Sequence, residues 1–263
     1  RKLSGLFFIL YMQLREIGKP IPKNSLILSK KIKIKEEFKM KTIFGVNSAT
    51  PINKKLKNGY TMFDWVMRQK GFPSFCMRTL CGEDKITPDE IKFLRAKDCK
   101  VGLVIRDLTE KSVSGINGTE DALRAVEAAK EAGVAQNAGI AIFAEIKPDW
   151  SINHNWMISF AQAISANGYI PGFIANTDSS KNFNFDRQCS HYAQATKDTD
   201  YLGAVFAATE PKLDGMPEKW APYCPSALEP EDMSLWLCGA TAFDSVSAED
   251  VYAADEKILA KMW

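Results

Sequence analysis

The sequence has few of the residue patterns that mark the common metal and nucleotide sites. Only two histidines occur, His154 and His191, and neither has a cysteine nearby at metal-ligand spacing. The 6 cysteines form no Cys-x-x-Cys pair and are too few, in 263 residues, for a disulfide framework. No Gly-x-Gly-x-x-Gly or Walker-type loop is present. We therefore predict no metal site and no bound cofactor.

The chain also lacks a strong charge of either sign and a long apolar run. Lys and Arg number 34 against 32 Asp and Glu, and the lysine excess is concentrated in residues 1–41. A body without a basic stripe argues against nucleic acid as a partner. The apolar run at 6–14 has about nine residues, whereas a membrane span needs about 20, so we expect no stable span. With 46% hydrophobic residues, the composition is that of a globular chain with one large core.

Residues 1–39 differ in composition from the rest of the chain. The sequence Lys35-Glu36-Glu37 can be encoded by a purine-rich ribosome-binding sequence, and Met40 follows closely. We therefore interpret residues 1–39 as a translated leader or disordered extension, with the domain covering 40–263. A start at Met40 leaves no signal peptide, which makes a cytoplasmic location the default and leaves export without a signal open. The alternative is a membrane-associating or secretory N-terminus.

From Lys41 onward, strand-like and helix-like patterns alternate. Short connections between them favour a parallel sheet covered by helices. About eight such units in about 220 residues favour a closed barrel over an open doubly wound sheet. We predict an α/β fold, a single-domain (β/α)8 TIM-like barrel. The predicted strands cover 42–49, 74–80, 100–108, 139–146, 169–176, 202–209, 234–240 and 247–252.

Capping residues mark two of the predicted helices. Thr87, with Pro88 at the first helical position and Glu90 completing a capping box, predicts a helix that runs to Cys99. Thr119 is predicted to cap a second helix. The apolar stripe of that helix is narrow and consists of Ala122, Ala125, Val126 and Ala129.

The fourth predicted strand ends in two ionisable residues, Glu145 and Lys147, followed by Pro148. Side chains two apart on a strand share a face, and in a parallel barrel that end of the strand carries the chemistry. One interpretation is therefore a catalytic carboxylate beside a cation, which would favour the charged form of Glu145. The other is a strand end with two solvated charges.

Several motifs occur together in a fixed order. They are GVNSATPIN at 45–53, the strand around Arg78, the segment 86–105, FAEIK at 143–147, GYIPGFIAN at 168–176 and LWLCG at 235–239. In this order they resemble the motifs of bacterial glycoside-hydrolase-like barrels that are catalogued as a domain of unknown function and are related to family-25 lysozymes. The resemblance covers nearly all of 40–263 and none of 1–39.

The resemblance implies a hydrolase acting on bacterial cell-wall glycan. Lysozyme-like relatives carry carboxylates at the ends of the first, fourth and eighth strands. By resemblance, Glu145 and Asp250 are the catalytic candidates. This chain departs from the pattern at Asn47, where the first-strand acid would stand, and at Lys147, where a second fourth-strand acid would stand. Of the aromatic and amide pattern of strand seven, Trp236 remains.

Glycoside hydrolysis generally needs two carboxyl groups, about 5 Å apart for retention and about 6.5–9.5 Å apart for inversion, or one acid assisted by the acetamido group of the substrate. Glu145 is a candidate general acid, although Lys147 beside it would lower its pKa, which is the wrong direction for an acid at neutral pH. The candidates for a second carboxylate are Asp107, Asp149 and Asp250.

A set of polar and aromatic side chains is suited to recognising a glycan or another small polar ligand: Asn47, Arg78, Arg106, Asp107, Lys147, Asn176 and Trp236. The alternative function is a carbohydrate-binding barrel without catalysis, and a third interpretation has the charges paired with one another in the mouth. An interaction module is the remaining class, and segment 211–230, with Trp220 and Tyr223, is its candidate surface or a lid.

Three observations distinguish these interpretations. Hydrolysis requires a second carboxylate near Glu145. Binding requires an open groove with exposed Trp236 or Trp220. Mutual pairing predicts a closed mouth in which every charge has a partner. The oligomeric state does not follow from the sequence.

Overall fold

Eight strands close into a barrel in the order in which they occur along the chain. The computed structural model describes residues 42–263 apart from 179, 181–182, 211–214 and 216–217, so the proposed leader lies outside the described residues. The strands are β1 (Ile43–Ser48), β2 (Phe75–Thr79), β3 (Lys100–Ile105), β4 (Ala141–Glu145), β5 (Ile170–Ala175), β6 (Val205–Thr209), β7 (Met233–Phe243) and β8 (Val246–Ala253).

Helices alternate with the strands as far as β6, which confirms the predicted barrel class. They are α1 (Met62–Lys70), α2 (Pro88–Ala96), α3 (Glu110–Val113), α4 (Thr119–Glu131), α5 (His154–Ala166) and α6 (Phe183–Thr196). Three 3-10 segments follow, Lys197–Gly203, Pro230–Asp232 and Glu256–Lys261. Among the described residues, Pro230–Asp232 is the only helical segment between β6 and β7.

The eighth strand departs from the regular pattern. Strands β1 to β7 pair in parallel, whereas β8 is antiparallel to both β7 and β1. The reason is local: β7 and β8 form a hairpin with a two-residue turn at Asp244, whose φ of 55° suits a tight reversal. A parallel connection would need a crossover of a dozen residues or more. The first residues of β8 therefore lie at the end of the barrel where the parallel strands finish, which is its mouth.

Helix capping agrees with the sequence at one position and differs at another. Thr87 is the N-cap of α2, and its hydroxyl accepts from the backbone N–H of Glu90. The prediction that Thr119 caps α4 is wrong, because the cap is Gly118. A Cβ at Gly118 would lie 2.5 Å from the carbonyl oxygen of Trp156, so α4 begins against α5 at a position where only glycine fits. The predicted apolar stripe of α4 is fully buried.

The barrel interior is filled by large side chains that lie over glycines on the neighbouring strand. Phe75 covers Gly45, and Phe143 covers Gly172, its register partner on β5. At the closed end, Ile258 and Met262 of the C-terminal segment join this interior cluster. Interdigitation of large and small residues packs a barrel interior to native density. These apolar layers fill the barrel beneath the mouth, so the polar side chains of the interior lie at the mouth end.

Because of this packing, Gly172→Ala is expected to destabilise the barrel by about 1–3 kcal/mol, since the new methyl group overlaps the ring of Phe143. The measurement is the free energy of unfolding in urea. The matched control is Gly172→Ala combined with Phe143→Leu, which should cost less than the sum of the two single changes because the overlap is relieved. Strict additivity would contradict the proposed overlap.

Candidate active site

Strand alternation brings two acids to the polar end of the barrel interior. On β4, Phe143 is part of the interior cluster, so Glu145 two residues later faces the same way. On β8, Val251 is an interior residue, so Glu249 also faces inward. Asn47 of β1 lies beside Glu249 in the strand register. Arg106 follows β3 directly. These four residues, Asn47, Arg106, Glu145 and Glu249, are called the mouth cluster below.

Glu145 is held by two donors. Its Oε2 accepts from Nε of Arg106 at 3.0 Å and from Nδ2 of Asn47 at 3.2 Å. Its side chain is 28% exposed, so a ligand entering the mouth can reach the carboxylate. The cation beside Glu145 is thus Arg106, rather than the predicted Lys147.

Glu249 is the second carboxylate near Glu145, and the sequence analysis missed it. Its Oε2 accepts from the same Nδ2 atom of Asn47, at 2.7 Å. Two oxygens bonded to one nitrogen lie no more than about 6 Å apart, which includes the spacing of about 5–5.5 Å found in retaining glycosidases. The limit applies to the two Oε2 atoms that share the amide nitrogen, and it favours the shorter, retaining spacing over the about 6.5–9.5 Å of an inverting enzyme.

Arg106 fixes the orientation of the amide that bridges the two acids. Its guanidinium donates to Oδ1 of Asn47 and to the hydroxyl of Thr79, in addition to Glu145. With Oδ1 facing the guanidinium, Nδ2 faces the carboxylates. Burial lowers the pKa of Arg106, while the neighbouring Glu145 carboxylate opposes that shift. Arg106 remains a cation, because a guanidinium does not lose its proton in proteins.

The two acids have different surroundings. Burial raises the pKa of Glu249, and the charge of Glu145 raises it further, against the hydrogen bond from Asn47. Arg106 bonds directly to Glu145, whereas its charge only partly offsets the shift at Glu249. A raised pKa keeps a carboxyl group protonated closer to neutral pH, as a general acid requires. The arrangement places a carboxyl group with a raised pKa beside an ion-paired carboxylate.

Asp250, the predicted second catalytic acid, does not face the mouth. It is the next residue after Glu249, so it points to the opposite face of β8. Its side chain is fully buried, with Oδ1 accepting from the hydroxyl of Thr241 at 2.9 Å and Oδ2 lying 2.9 Å from Nζ of Lys70. The structure therefore replaces Asp250 by its neighbour Glu249 as the acid nearest Glu145.

Arg78 is likewise removed from the set of ligand-binding candidates. It faces outward from β2, is fully buried and pairs with Glu90 of α2, with an Nε to Oε1 distance of 2.6 Å. The same Oε1 atom accepts from the backbone N–H of Ile52 at 2.7 Å. Glu90 therefore serves this ion pair rather than the predicted capping box. Arg78 and Glu90 fasten α2 and the loop after β1 to the barrel wall.

Three other predicted residues also lie outside the mouth cluster, and two of them have partners there. The ammonium group of Lys147 lies 5.0 Å from the ring centroid of Trp150. Asp107 pairs with Arg124 of α4, with 3.1 Å between Oδ2 and Nε. Asp149, the remaining candidate for a second acid, is exposed on the loop after β4.

The aromatic residue predicted to contact sugar, Trp236, is buried. Trp236 is 1% exposed, since Leu235 and Leu237 occupy the interior face of β7 and turn it outward. Trp220 packs edge-on against it, with ring centroids 5.5 Å apart. Asn176 is half-buried just beyond β5, and its side-chain oxygen accepts from the backbone N–H of Asp178.

Other features of the described chain lie apart from the mouth cluster. Across those residues, no group of three or more His, Cys, Asp or Glu is arranged to hold a metal ion. No helix among them is long and apolar enough to cross a membrane. A groove of ≈ 460 Å³ lies on the outer wall between α2 and α4, and its lining includes none of the mouth cluster. The mouth cluster is thus separate from this groove.

Solved structures with the same fold include a lysozyme. No family model and no curated protein matches the chain. An uncharacterised protein of B. stearothermophilus has a TM-score of 0.68 and 23% identity over 84% of this chain and 100% of its own. For the bacterial lysozyme of Streptomyces coelicolor the values are 0.51 and 13%, over 83% and 96%. For a Tat-secreted protein of Mycobacterium tuberculosis, crystallised with HEPES, they are 0.51 and 15%, over 81% and 94%. At these identities the likeness establishes a shared barrel fold and nothing about activity.

Proposed function

We propose that this protein is a retaining glycoside hydrolase that acts on the N-acetylated glycan of the bacterial cell wall, as a member of the lysozyme-related barrels that its motifs resemble. The observation that carries the proposal is the bridging of Glu145 and Glu249 by one amide nitrogen of Asn47. It meets the requirement for a second carboxylate, at a spacing suited to retention. The fold shared with a lysozyme supports the same substrate class.

In the proposed reaction, the carboxyl group of Glu249 is the general acid. It gives its proton to the glycosidic oxygen as the bond from that oxygen to the anomeric carbon breaks. On the opposite face of the sugar, the carboxylate of Glu145, or the acetamido oxygen of the substrate oriented by Glu145, forms a bond to the anomeric carbon as the leaving oxygen departs. A water molecule then attacks the anomeric carbon, breaks that bond and gives a proton to the Glu249 carboxylate, which restores the starting state. Arg106 and Asn47 hold both carboxylates in register for these steps.

The test is the release of reducing ends from purified peptidoglycan by the full-length protein. We expect release by the parent protein, its loss in Glu145→Gln, and unchanged release in Glu131→Gln, a matched change at an exposed carboxylate on α4. If Glu145→Gln releases as many reducing ends as the parent and the control, the activity does not depend on Glu145 and the proposed role is wrong.

A carbohydrate-binding barrel without catalysis is the second candidate. The ion pair between Arg106 and Glu145 counts against catalysis, because it occupies an oxygen that a catalytic carboxylate uses. The buried Trp236 leaves the sugar contact of such a binding protein to another aromatic residue. The two candidates separate in one experiment: a folded protein that binds soluble N-acetylglucosamine oligomers but releases no reducing ends from them or from peptidoglycan is a binding protein.

The cytoplasmic location expected from the sequence remains a prediction. A hydrolase of cell-wall glycan must reach the wall, and one protein with this fold is Tat-secreted. We propose that export or cell lysis brings the protein to its substrate. Immunoblots of cytoplasmic and extracellular fractions decide between retention and export.

A further inference from the structure

One aromatic side chain is presented to solvent near the mouth on a rigid piece of backbone. Tyr223 is 54% exposed, whereas Trp236, which the sequence offered for sugar contact, is buried. An exposed aromatic ring loses contact with water at little cost in conformational entropy when it binds, because it has few rotatable bonds.

The backbone of Tyr223 is clamped on both sides. Its N–H donates to Oε1 of Glu210 at 2.7 Å, and its carbonyl oxygen accepts from the hydroxyl of Thr177 at 2.7 Å. Pro222 precedes it, and Pro225 restricts the backbone just after it. These contacts hold the backbone of Tyr223 in place, while its ring remains exposed to solvent. Such preorganisation reduces the entropy lost on binding.

The clamp lies at the mouth end of the barrel. Thr177 follows β5 and Glu210 follows β6, both past the carboxyl ends of these strands. Glu145 is the register partner of Ile174 on β5, and Thr177 is three residues further along the chain. Tyr223, which bonds to Thr177, therefore lies beyond the carboxyl ends of the strands, past the level of Glu145.

Polar side chains flank Thr177, the residue whose hydroxyl bonds to the backbone of Tyr223. Asn176 and Asp178 flank Thr177, and both are half-buried. Amide and carboxylate groups hydrogen-bond sugar hydroxyls at the rim of a ring, while an aromatic face covers its C–H surface. The combination fits a pyranose ring that lies flat on Tyr223.

We propose that Tyr223 is the stacking platform for a sugar adjacent to the one cleaved, with Asn176 and Asp178 at its edge. This inference rests on the proposed glycan function and extends it to a second sugar of the same chain. Tyr223 contacts the sugar through its aromatic ring, so Tyr223→Phe should keep the affinity for glycan and Tyr223→Ala should lose it.

The experiment measures calorimetric affinity for N-acetylglucosamine oligomers in the full-length protein carrying Glu145→Gln, which prevents cleavage. In that background, Tyr223→Ala is expected to weaken binding by about tenfold, whereas Tyr223→Phe stays within about threefold of the parent. Phe72→Ala is the matched control, since Phe72 is 47% exposed and precedes β2 at the opposite end of the barrel. It should leave affinity unchanged.

Each other outcome overturns the inference in a distinguishable way. If Tyr223→Ala binds as tightly as its parent, the platform is excluded and the proposed hydrolase stands. If alanine and phenylalanine weaken binding equally, the hydroxyl group is responsible and stacking is excluded. If the parent binds no oligomer, the platform fails together with the glycan function. Thermal unfolding of each variant establishes that the compared proteins are folded.

Discussion

Replacing Glu249 by glutamine is expected to reduce glycan hydrolysis by about 10²–10⁴-fold, because an amide cannot donate the proton that the leaving oxygen needs. The side-chain oxygen of glutamine still accepts from Asn47, so the fold is expected to persist. The measurement is kcat on soluble glycan fragments, with thermal unfolding as a check of folding.

The pH profile gives this prediction a second readout. Because burial raises the pKa of Glu249, the parent keeps its acid protonated at low pH and loses activity as pH rises through that pKa. In Glu249→Gln this alkaline limb should disappear from the residual activity. An unchanged alkaline limb in the variant assigns the titration to another group.

Asp250→Asn is the matched control for Glu249→Gln, since the two acids are neighbours on opposite faces of β8. Loss of the buried carboxylate beside Lys70 should lower stability. The kcat of the folded protein should remain close to that of the parent. A large loss of kcat in Asp250→Asn, with Glu249→Gln active, restores the sequence-based assignment and contradicts the proposed acid.

Replacing Arg78 by methionine is expected to lower the free energy of unfolding by about 3–5 kcal/mol, the largest effect on stability that we predict. The change leaves Glu90 buried without its cation. It also removes the hydrogen bonds that Arg78 donates to the carbonyl oxygens of Ser48, Ala49 and Asp84. Urea unfolding measures the loss. Glu127→Ala, which breaks an exposed ion pair on α4, should change stability by no more than about 1 kcal/mol.

A second variant separates the lost ion pair from lost packing. Arg78→Met combined with Glu90→Leu removes both charges, so part of the stability should return. Recovery is incomplete, because the N–H of Ile52 loses its acceptor. If the double variant is less stable than Arg78→Met by the full cost of Glu90→Leu, the two residues are not energetically coupled.

Much of the barrel was predictable because local patterns determine it. The strands from β1 to β7 are apolar runs bounded by turn residues, and helices of ordinary length separate most of them. Strand β4 illustrates this, since its apolar residues and the acid at its end place Glu145 at a strand terminus. The antiparallel β8 was not predicted, because strand direction depends on a turn whose tightness shows only when β7 and β8 are seen paired.

Glu249 could not be chosen over Asp250 from the sequence. Neighbouring residues on a strand face opposite ways, and both faces of β8 carry apolar residues: Ala248 on one, Val251 and Ala253 on the other. The resemblance placed the eighth-strand acid at Asp250. A period-two pattern through Glu249, Val251 and Ala253 was the available signal, but which face turns inward is set by pairing with β1.

Arg78, in contrast, was predicted to bind a ligand and instead forms a structural ion pair. A cation near a strand end looks like a ligand contact, yet its partner Glu90 lies 12 residues away on a helix that the sequence had assigned to capping. Long-range pairing of this kind is a property of the packed wall, and no local pattern reveals it. Arg106 has the same charge and lies near the same end of the barrel. It faces the mouth because it lies two residues after Val104, an interior residue of β3.

The bond between Asn47 and Glu249 joins residues 202 positions apart, across the seam where β1 meets β8. Contacts between such distant parts of a chain form late in folding, after the cost of closing the intervening loop. A nascent chain that has not yet emerged beyond β7 has an open sheet and only one of the two acids. Under the proposed mechanism, catalysis becomes possible only after β8 has been synthesised and has paired with β1, because β8 carries the proton donor.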